Sequence, residues 1–172
     1  MLDMGLVLEP LVPGLRRFAR ALVHDTSNAD DLVQDCLERA VSRWHQRNAD
    51  GSAKAWLFAI LVNITRDRLR RDRRRGLHVM VDDLPPGTLA EPATQEQALS
   101  AKDVLRAIDQ LSEDQRAVML LVAVEDLSYA EAATALDVPI GTVMSRLARG
   151  RERLRRILDG ETIGVPQLRS VK

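Results

Sequence analysis

Apolar residues recur along most of the chain at the three-to-four-residue spacing of an amphipathic helix, and no segment alternates strictly enough to read as a strand. Leu11, Leu15, Phe18 and Leu22 share one side of a first helix expected over about residues 8–23. Ser27, with Asp30 three positions on, offers the start of a second helix reaching about Trp44. A polar, turn-forming run from His45 to Gly51 separates it from a third helix, which begins near Ser52 and ends in the arginines at Arg75. In the second half a helix is expected over about residues 95–110. Ser112-Glu113-Asp114-Gln115 and Ser128-Tyr129-Ala130-Glu131 both have capping-box spacing, and they open helices reaching about Val124 and Leu136. Asp137-Val138-Pro139 breaks the chain, and a last helix runs from Ile140 to about Leu158.

Between the halves lie Gly76, Pro85, Pro86, Gly87 and Pro92, with paired acids at Asp82 and Asp83, a composition that predicts a flexible linker. The expected architecture is all-α. Two small helical bundles, residues 1–75 and 95–160, are joined by a linker over 76–94 and followed by a tail over 161–172.

In the second bundle, a short helix, a tight turn and a longer basic helix make a helix-turn-helix pattern. Ala132, Ala133 and Leu136 can pack beneath Val138, Val143 and Leu147, with the two alanines allowing close approach. Projected at about 100° per residue, Val143, Leu147, Gly150 and Leu154 gather on the core side of the last helix. Ser145, Ala148, Arg149 and Glu152 point away from it. Arg146 and Arg153 lie on one flank, and Met144, Arg151 and Arg155 on the other. A polar stripe centred on Arg149 suits the major groove of DNA, with the flanks meeting phosphates. A solvated, arginine-rich helix surface would share the composition, but not the capping box and the turn before it.

In the first bundle, residues 55–64 are apolar nearly all round, as in a buried helix, and then the character changes abruptly. Arg66, Arg68, Arg70, Arg71, Arg73, Arg74 and Arg75 place seven guanidinium groups in ten residues. Capping the helix dipole needs far fewer, and their mutual repulsion calls for a counter-anion such as a DNA backbone. Asn63 interrupts the apolar stretch. It reads either as a buried amide bonded to a neighbouring backbone group, or as a hydrogen-bonding group at the mouth of a pocket for a base drawn out of the stack. The second helix opens with Asp30, Asp31 and Asp35. Its dipole accounts for the first two but not for Asp35. A face of Asp31, Leu32, Gln34 and Asp35 is what a basic protein partner could grip.

Charge sharpens this picture. Among 172 residues the formal net charge is zero, yet residues 51–75 carry eight basic and two acidic side chains, and residues 142–159 carry six and two. Residues 76–141 carry three basic and twelve acidic. Two compact basic blocks imply two phosphate-facing surfaces on one chain. Cys36 is the single cysteine, which excludes an internal disulfide and a cysteine-based zinc site. No apolar run reaches the ~18–20 residues that span a bilayer, and the first ten residues lack signal-peptide character. A cytoplasmic chain with no membrane insertion is expected. His24, His45 and His78 are scattered, and no nucleophile–base pair, phosphate-binding glycine loop or metal-ligand cluster accompanies them. Neither an enzyme nor a cofactor or metal is expected.

Four stretches then meet a known pattern in order. They are Asp30-Asp31-Leu32-Val33-Gln34-Asp35, Ala55-Trp56-Leu57 with Asn63 and the arginines beyond, Leu111-Ser112-Glu113-Asp114-Gln115-Arg116, and Leu127 to Ala133 leading into Val138 to Arg151. With them, the chain resembles the extracytoplasmic-function (group 4) sigma factors of bacterial RNA polymerase over about Leu11 to Leu158. The resemblance implies a sigma-2 domain, a linker and a sigma-4 domain that direct initiation at stress-type promoters. It also implies that Asp31, Leu32, Gln34 and Asp35 dock on the β′ clamp helices of core RNA polymerase, with sigma-4 on the β flap. The polar loop and Asn63 would hold a flipped base of the −10 element, and Arg66 and Arg70 its backbone. Ser145 and Arg149 would read the −35 element, with Thr142 and Arg146 on phosphates. An anti-sigma factor is the expected regulatory partner. The chain departs from the pattern at Cys36-Leu37, where an aromatic often follows, and at Met144 and Ala148, where side chains that touch DNA are common. A competing expectation is a sigma-like decoy that sequesters an anti-sigma factor without touching DNA. Such a chain should have lost its arginines at both DNA faces.

Overall fold

The first bundle begins with two prolines that shape its opening helix. A computed structural model of the protein describes residues 4–23, 25–74, 103–104 and 106–159. The helix expected over 8–23 is divided into α1 (Met4–Leu8), a 3-10 turn (Glu9–Leu11) and α2 (Val12–Val23). Pro10 and Pro13 carry no N–H and cannot continue an α-helical ladder, which explains the division. Next, α3 (Thr26–Ser42) is capped by Asp25 and not by Ser27. The Asp25 carboxylate accepts from the backbone N–H of Ser27 at 2.9 Å and of Asn28 at 3.2 Å, satisfying two orphan donors at once. A 3-10 turn (Trp44–Gln46) leads into the polar loop, and α4 (Ala53–Arg74) follows. The Ser52 hydroxyl accepts from the Ala55 N–H at 3.1 Å at the start of α4.

Leu15, Phe18 and Leu22 of α2 meet Leu32, Val33 and Cys36 of α3 and Leu57, Phe58, Leu61 and Val62 of α4, all buried. Phe18 and Phe58 pack edge to face at 5.5 Å, so two aromatics fill the centre of a bundle otherwise built from aliphatic side chains. The Cys36 thiol donates weakly to the Leu57 carbonyl at 3.5 Å, and burial pushes its pKa up to about 12. Native protein at pH 8 is therefore expected to resist alkylation by iodoacetamide and to react only after unfolding in urea. Rapid modification of the folded chain, followed by mass spectrometry, would contradict this placement.

In the second bundle both capping boxes form. Ser112 and Gln115 open α5 (Glu113–Met119), and Ser128 and Glu131 open α6 (Tyr129–Leu136). The expected helix to Val124 changes to a π-turn over Leu120–Val124. Asp137, left-handed at φ 53°, ends α6, and Pro139 precedes α7 (Ile140–Leu158). Arg116, only 8% exposed, ties this bundle together: its guanidinium donates to the carbonyls of Ile108, Asp109 and Leu111, and at 3.4 Å to Ala21 of α2. Burial lowers its pKa, while Asp109 and Glu113 raise it.

The bundles do not stand apart. α4 lies along α6, α2 meets α5, and the buried residues of both halves form one continuous core. All elements among the described residues are helical. The expected linker and tail, 76–94 and 161–172, lie outside them, as does most of the helix expected over 95–110.

Candidate nucleic-acid and protein-docking surfaces

α7 has two faces, as its sequence requires. Val143, Leu147 and Gly150 are buried, with Leu154 partly so, while Met144, Ser145, Ala148, Arg149 and Glu152 are exposed. Gly150 eases the approach of α7 to α5, since a Cβ there would lie 3.2 Å from Met119 Cε and the end of that side chain would have to shift slightly. Ala132 and Leu136 of α6 are buried beneath Val143 and Leu147, with Ala133 and Val138 partly buried at the edge. On the outer face Arg149 folds back along its own helix. It donates from Nε to the Ser145 carbonyl at 3.2 Å and from Nη2 to the Ser145 hydroxyl at 3.3 Å. The Ser145 hydroxyl in turn donates to the Thr142 carbonyl at 3.1 Å. The three residues thus form one polar strip, with Ser145 and Arg149 exposed and Thr142 half-buried, on the helix expected to enter the groove.

Arg146 differs from the open phosphate contact expected of it. Its side chain is 22% exposed and turns inward, with Nη2 2.7 Å from Asp114 of α5. Its Nη1 is buried without a hydrogen-bond acceptor among the described residues.

On α4, Asn63 is exposed and its side chain has no hydrogen bond among the described residues, which removes the buried-amide reading. It lies two turns beyond Trp56 on the same side of the helix, in a stripe that continues through Asp67 and Arg70, both exposed. Trp56 packs edge to face on Trp44 at 6.0 Å, and the Arg47 guanidinium covers Trp44 at 4.8 Å. Arg47 also bonds the carbonyls of Asn48 and Gly51. The polar loop is therefore pinned at one end of the stripe, with His45, Gln46, Asn48 and Asp50 exposed. Arg66 and Arg70 do not act as a pair here. Arg70 is exposed, whereas Arg66 turns to the second bundle, donating to the Leu136 carbonyl at 2.9 Å and lying 4.0 Å from Asp114.

The acidic helix carries an open groove of about 670 Å³, lined by Arg16 of α2 and by Asp30, Asp31, Val33, Gln34, Leu37, Glu38, Val41 and Ser42 of α3. Asp31 and Gln34 stand where the sequence suggests. Leu32 does not: it is fully buried against α2 and α4, so it holds the helix in the bundle instead of offering a contact. Asp35 is exposed one turn beyond Asp31 and is not among the residues that line the groove. The apolar contacts of this face are Leu37, partly buried, and Val41, 50% exposed. Their i, i+4 spacing is the signal that locates them, since it puts both on the side shared by Asp30 and Gln34.

Comparison with known proteins finds relatives that extend over both bundles. Residues 8–62 match the family model of the sigma2 domain of PhyR, and residues 101–154 match that of sigma-70, region 4. The ECF RNA polymerase sigma factor EcfG of Rhodopseudomonas palustris (strain TIE-1) is 35% identical over 150 residues, covering 86% of this chain and 80% of that protein. SigM of Mycobacterium tuberculosis (strain H37Rv), also an ECF RNA polymerase sigma factor, is 35% identical over 151 residues, 88% of this chain and 74% of that protein. Among solved structures, the sigma factor RpoE in complex with the anti-sigma factor NepR from Bartonella quintana superposes with a TM-score of 0.78. The two are 31% identical, over 94% of this chain and 100% of that one. With relatives of this identity matched over most of the chain and through both bundles, it belongs to the ECF RNA polymerase sigma factors.

Proposed function

We propose that the chain directs core RNA polymerase to promoters through three separate surfaces. The α3 groove, with Asp31 and Gln34 at its polar edge and Leu37 and Val41 at its apolar one, receives the polymerase clamp helices. The outer strip of α7, Thr142, Ser145 and Arg149, reads the −35 element. The stripe from Asn63 to Arg70, beside the pinned polar loop, receives a base of the −10 element and its backbone. The observation that carries this reading is the facing of α7, which buries Val143, Leu147 and Gly150 and leaves Ser145 and Arg149 to solvent behind a helix-turn-helix turn. Each DNA face is small, so binding gains its strength when both act together on the polymerase at high effective concentration.

Run-off transcription with core polymerase, with and without the protein, tests the reading on a library of genomic promoters. New start sites that depend on the protein are expected, and none at any promoter would sink it. Within such a reaction, Arg149→Ala is expected to weaken −35 discrimination by roughly 1–3 kcal/mol, seen as relaxed preference at one position of the element. Transcription from a cognate promoter at the wild-type level and specificity would take Arg149 out of the readout.

An anti-sigma factor is the second partner. The similar structure of RpoE is a complex with the anti-sigma factor NepR, and that of CnrH, 26% identical, is a complex with the cytosolic domain of CnrY. A decoy without DNA binding is disfavoured, because the relatives matched over most of the chain are named sigma factors and both arginine-rich helices are retained.

A further inference from the structure

Beside its polar strip, the outer face of α7 carries a row of apolar side chains that the fold does not use. Ile140, Met144 and Ala148 are all exposed, the first two at 49% and 52%. They follow one another at i, i+4 and i+8, so they form a single ridge down the N-terminal half of the helix. The core side of α7 is already filled by Val143, Leu147 and Leu154, with Gly150 at the contact with α5. One exposed apolar side chain on a surface needs no explanation. Two large ones and an alanine in register, on the face opposite the core, do.

The neighbours of the ridge show what it fits. On one side runs the parallel row of Ser145, Arg149 and Arg153, on the other stand Arg151 and Arg155, and all five are exposed. An apolar protein surface laid on the ridge would have to cover guanidinium groups on both sides. The major groove of DNA presents the matching pattern: phosphates along both walls and, on its floor, one apolar group, the C5 methyl of thymine. The ridge also lies just behind the turn, in the part of a helix-turn-helix that reaches base edges. Met144 is unbranched and deformable, so its tip can settle against a methyl group. The row ends at Glu152, one turn past Ala148, whose carboxylate is held by Arg155 at 3.0 and 3.3 Å and is thereby kept from the phosphates.

We propose that this ridge reads thymine, with Met144 and Ala148 against C5 methyl groups and Ile140 closing the edge against water, next to the base read by Arg149. It rests on the −35 reading above and adds what that reading leaves open, the base class beside the Arg149 contact. Met144 and Ala148 stand about 6 Å apart along the helix axis, roughly two base steps of about 3.4 Å, so the preferred thymines lie within about two steps of that contact. Burying one methyl group changes affinity about fourfold, so the ridge grades promoters, whereas a bidentate arginine contact discriminates more sharply.

The test uses core polymerase loaded with the full chain and promoter duplexes randomised across the −35 region, with the retained duplexes sequenced. Thymine is expected to be enriched at one or two positions beside the one whose preference disappears in Arg149→Ala. Replacing each enriched thymine by deoxyuridine removes the methyl and keeps every hydrogen-bonding group. It should weaken binding by the wild type about three- to fivefold per position. Met144→Gln keeps the length of the side chain and removes its apolar end. At one of those positions it should bind thymine and deoxyuridine duplexes within about 1.5-fold of each other and turn the preference toward adenine. Met144→Leu, still apolar, should keep the methyl effect. The substituted side chain is exposed, and circular dichroism checks that both variants are folded.

Wild-type affinities for thymine and deoxyuridine that agree within about 1.5-fold at every position overturn the proposal. So does a methyl effect that is the same at every position in the wild type and Met144→Gln. A ridge that serves a protein instead would leave the selected bases unchanged in Met144→Gln while less core polymerase is retained by the chain. The two failures are distinguishable. A base preference that depends on Arg149 without any methyl effect removes the ridge and keeps the −35 reading, whereas duplexes retained with no preference at all remove both.

Discussion

Arg116→Ala is expected to destabilise the folded chain by roughly 3–5 kcal/mol, read as a fall in the urea midpoint with little change in slope. The guanidinium is a hub for carbonyls that no other group serves as well. Ile108, Asp109 and Leu111 end the helical segment before α5, where carbonyls run short of intrahelical partners, although Ile108 also accepts from the Leu111 N–H at 3.1 Å. Arg116 supplies one planar fork to all of them and reaches Ala21, near the C-terminal end of α2, with the remaining arm. Truncation removes four charge-assisted bonds from a side chain that is only 8% exposed and leaves the Leu111 carbonyl buried without this donor, a combination that places the cost at the upper end for a single substitution. Arg116→Lys should recover only a small part, because a single ammonium cannot meet carbonyls fanned across two segments. A midpoint within about 1 kcal/mol of the wild type for Arg116→Ala would mean that water serves these carbonyls equally well.

Asp31→Lys should have the largest effect on function. The residue is exposed at the groove, and nothing else in the fold depends on it, so circular dichroism and the melting temperature should be unchanged. A basic partner helix in the groove would desolvate this carboxylate, and reversing its charge turns attraction into repulsion. Core-polymerase binding should weaken by about 2–5 kcal/mol, at least roughly 30-fold in dissociation constant. Asp35→Lys, at the rim one turn beyond and outside the lining, should weaken it less. Equal recovery of core enzyme by the wild type and Asp31→Lys in a pull-down would remove the groove from the interface.

The sequence discloses local devices far better than distant ones. The boxes Ser112/Gln115 and Ser128/Glu131 are complete within four residues, and both form as spaced. The facing of α7 follows from its own periodicity, and the observed burial of Val143, Leu147 and Gly150 matches it. Ser27 failed as a cap only because Asp25, two residues earlier, accepts from two N–H groups. Leu32 was misread for a related reason: flanked by acids, it resembles part of a contact face, yet the bundle needs it inside. Arg66, Arg17 and Glu125 carry no local sign of their partners. Arg66 meets Leu136 across 70 positions and Arg17 meets Glu125 across 108, and only the packing of the two bundles selects those pairs.

The acidic groove is lined wholly by residues of α2 and α3, none from the second bundle. Whatever sits in that groove therefore leaves the helix-turn-helix uncovered, and a variant damaged only in the second bundle should keep the groove intact while losing its grip on DNA.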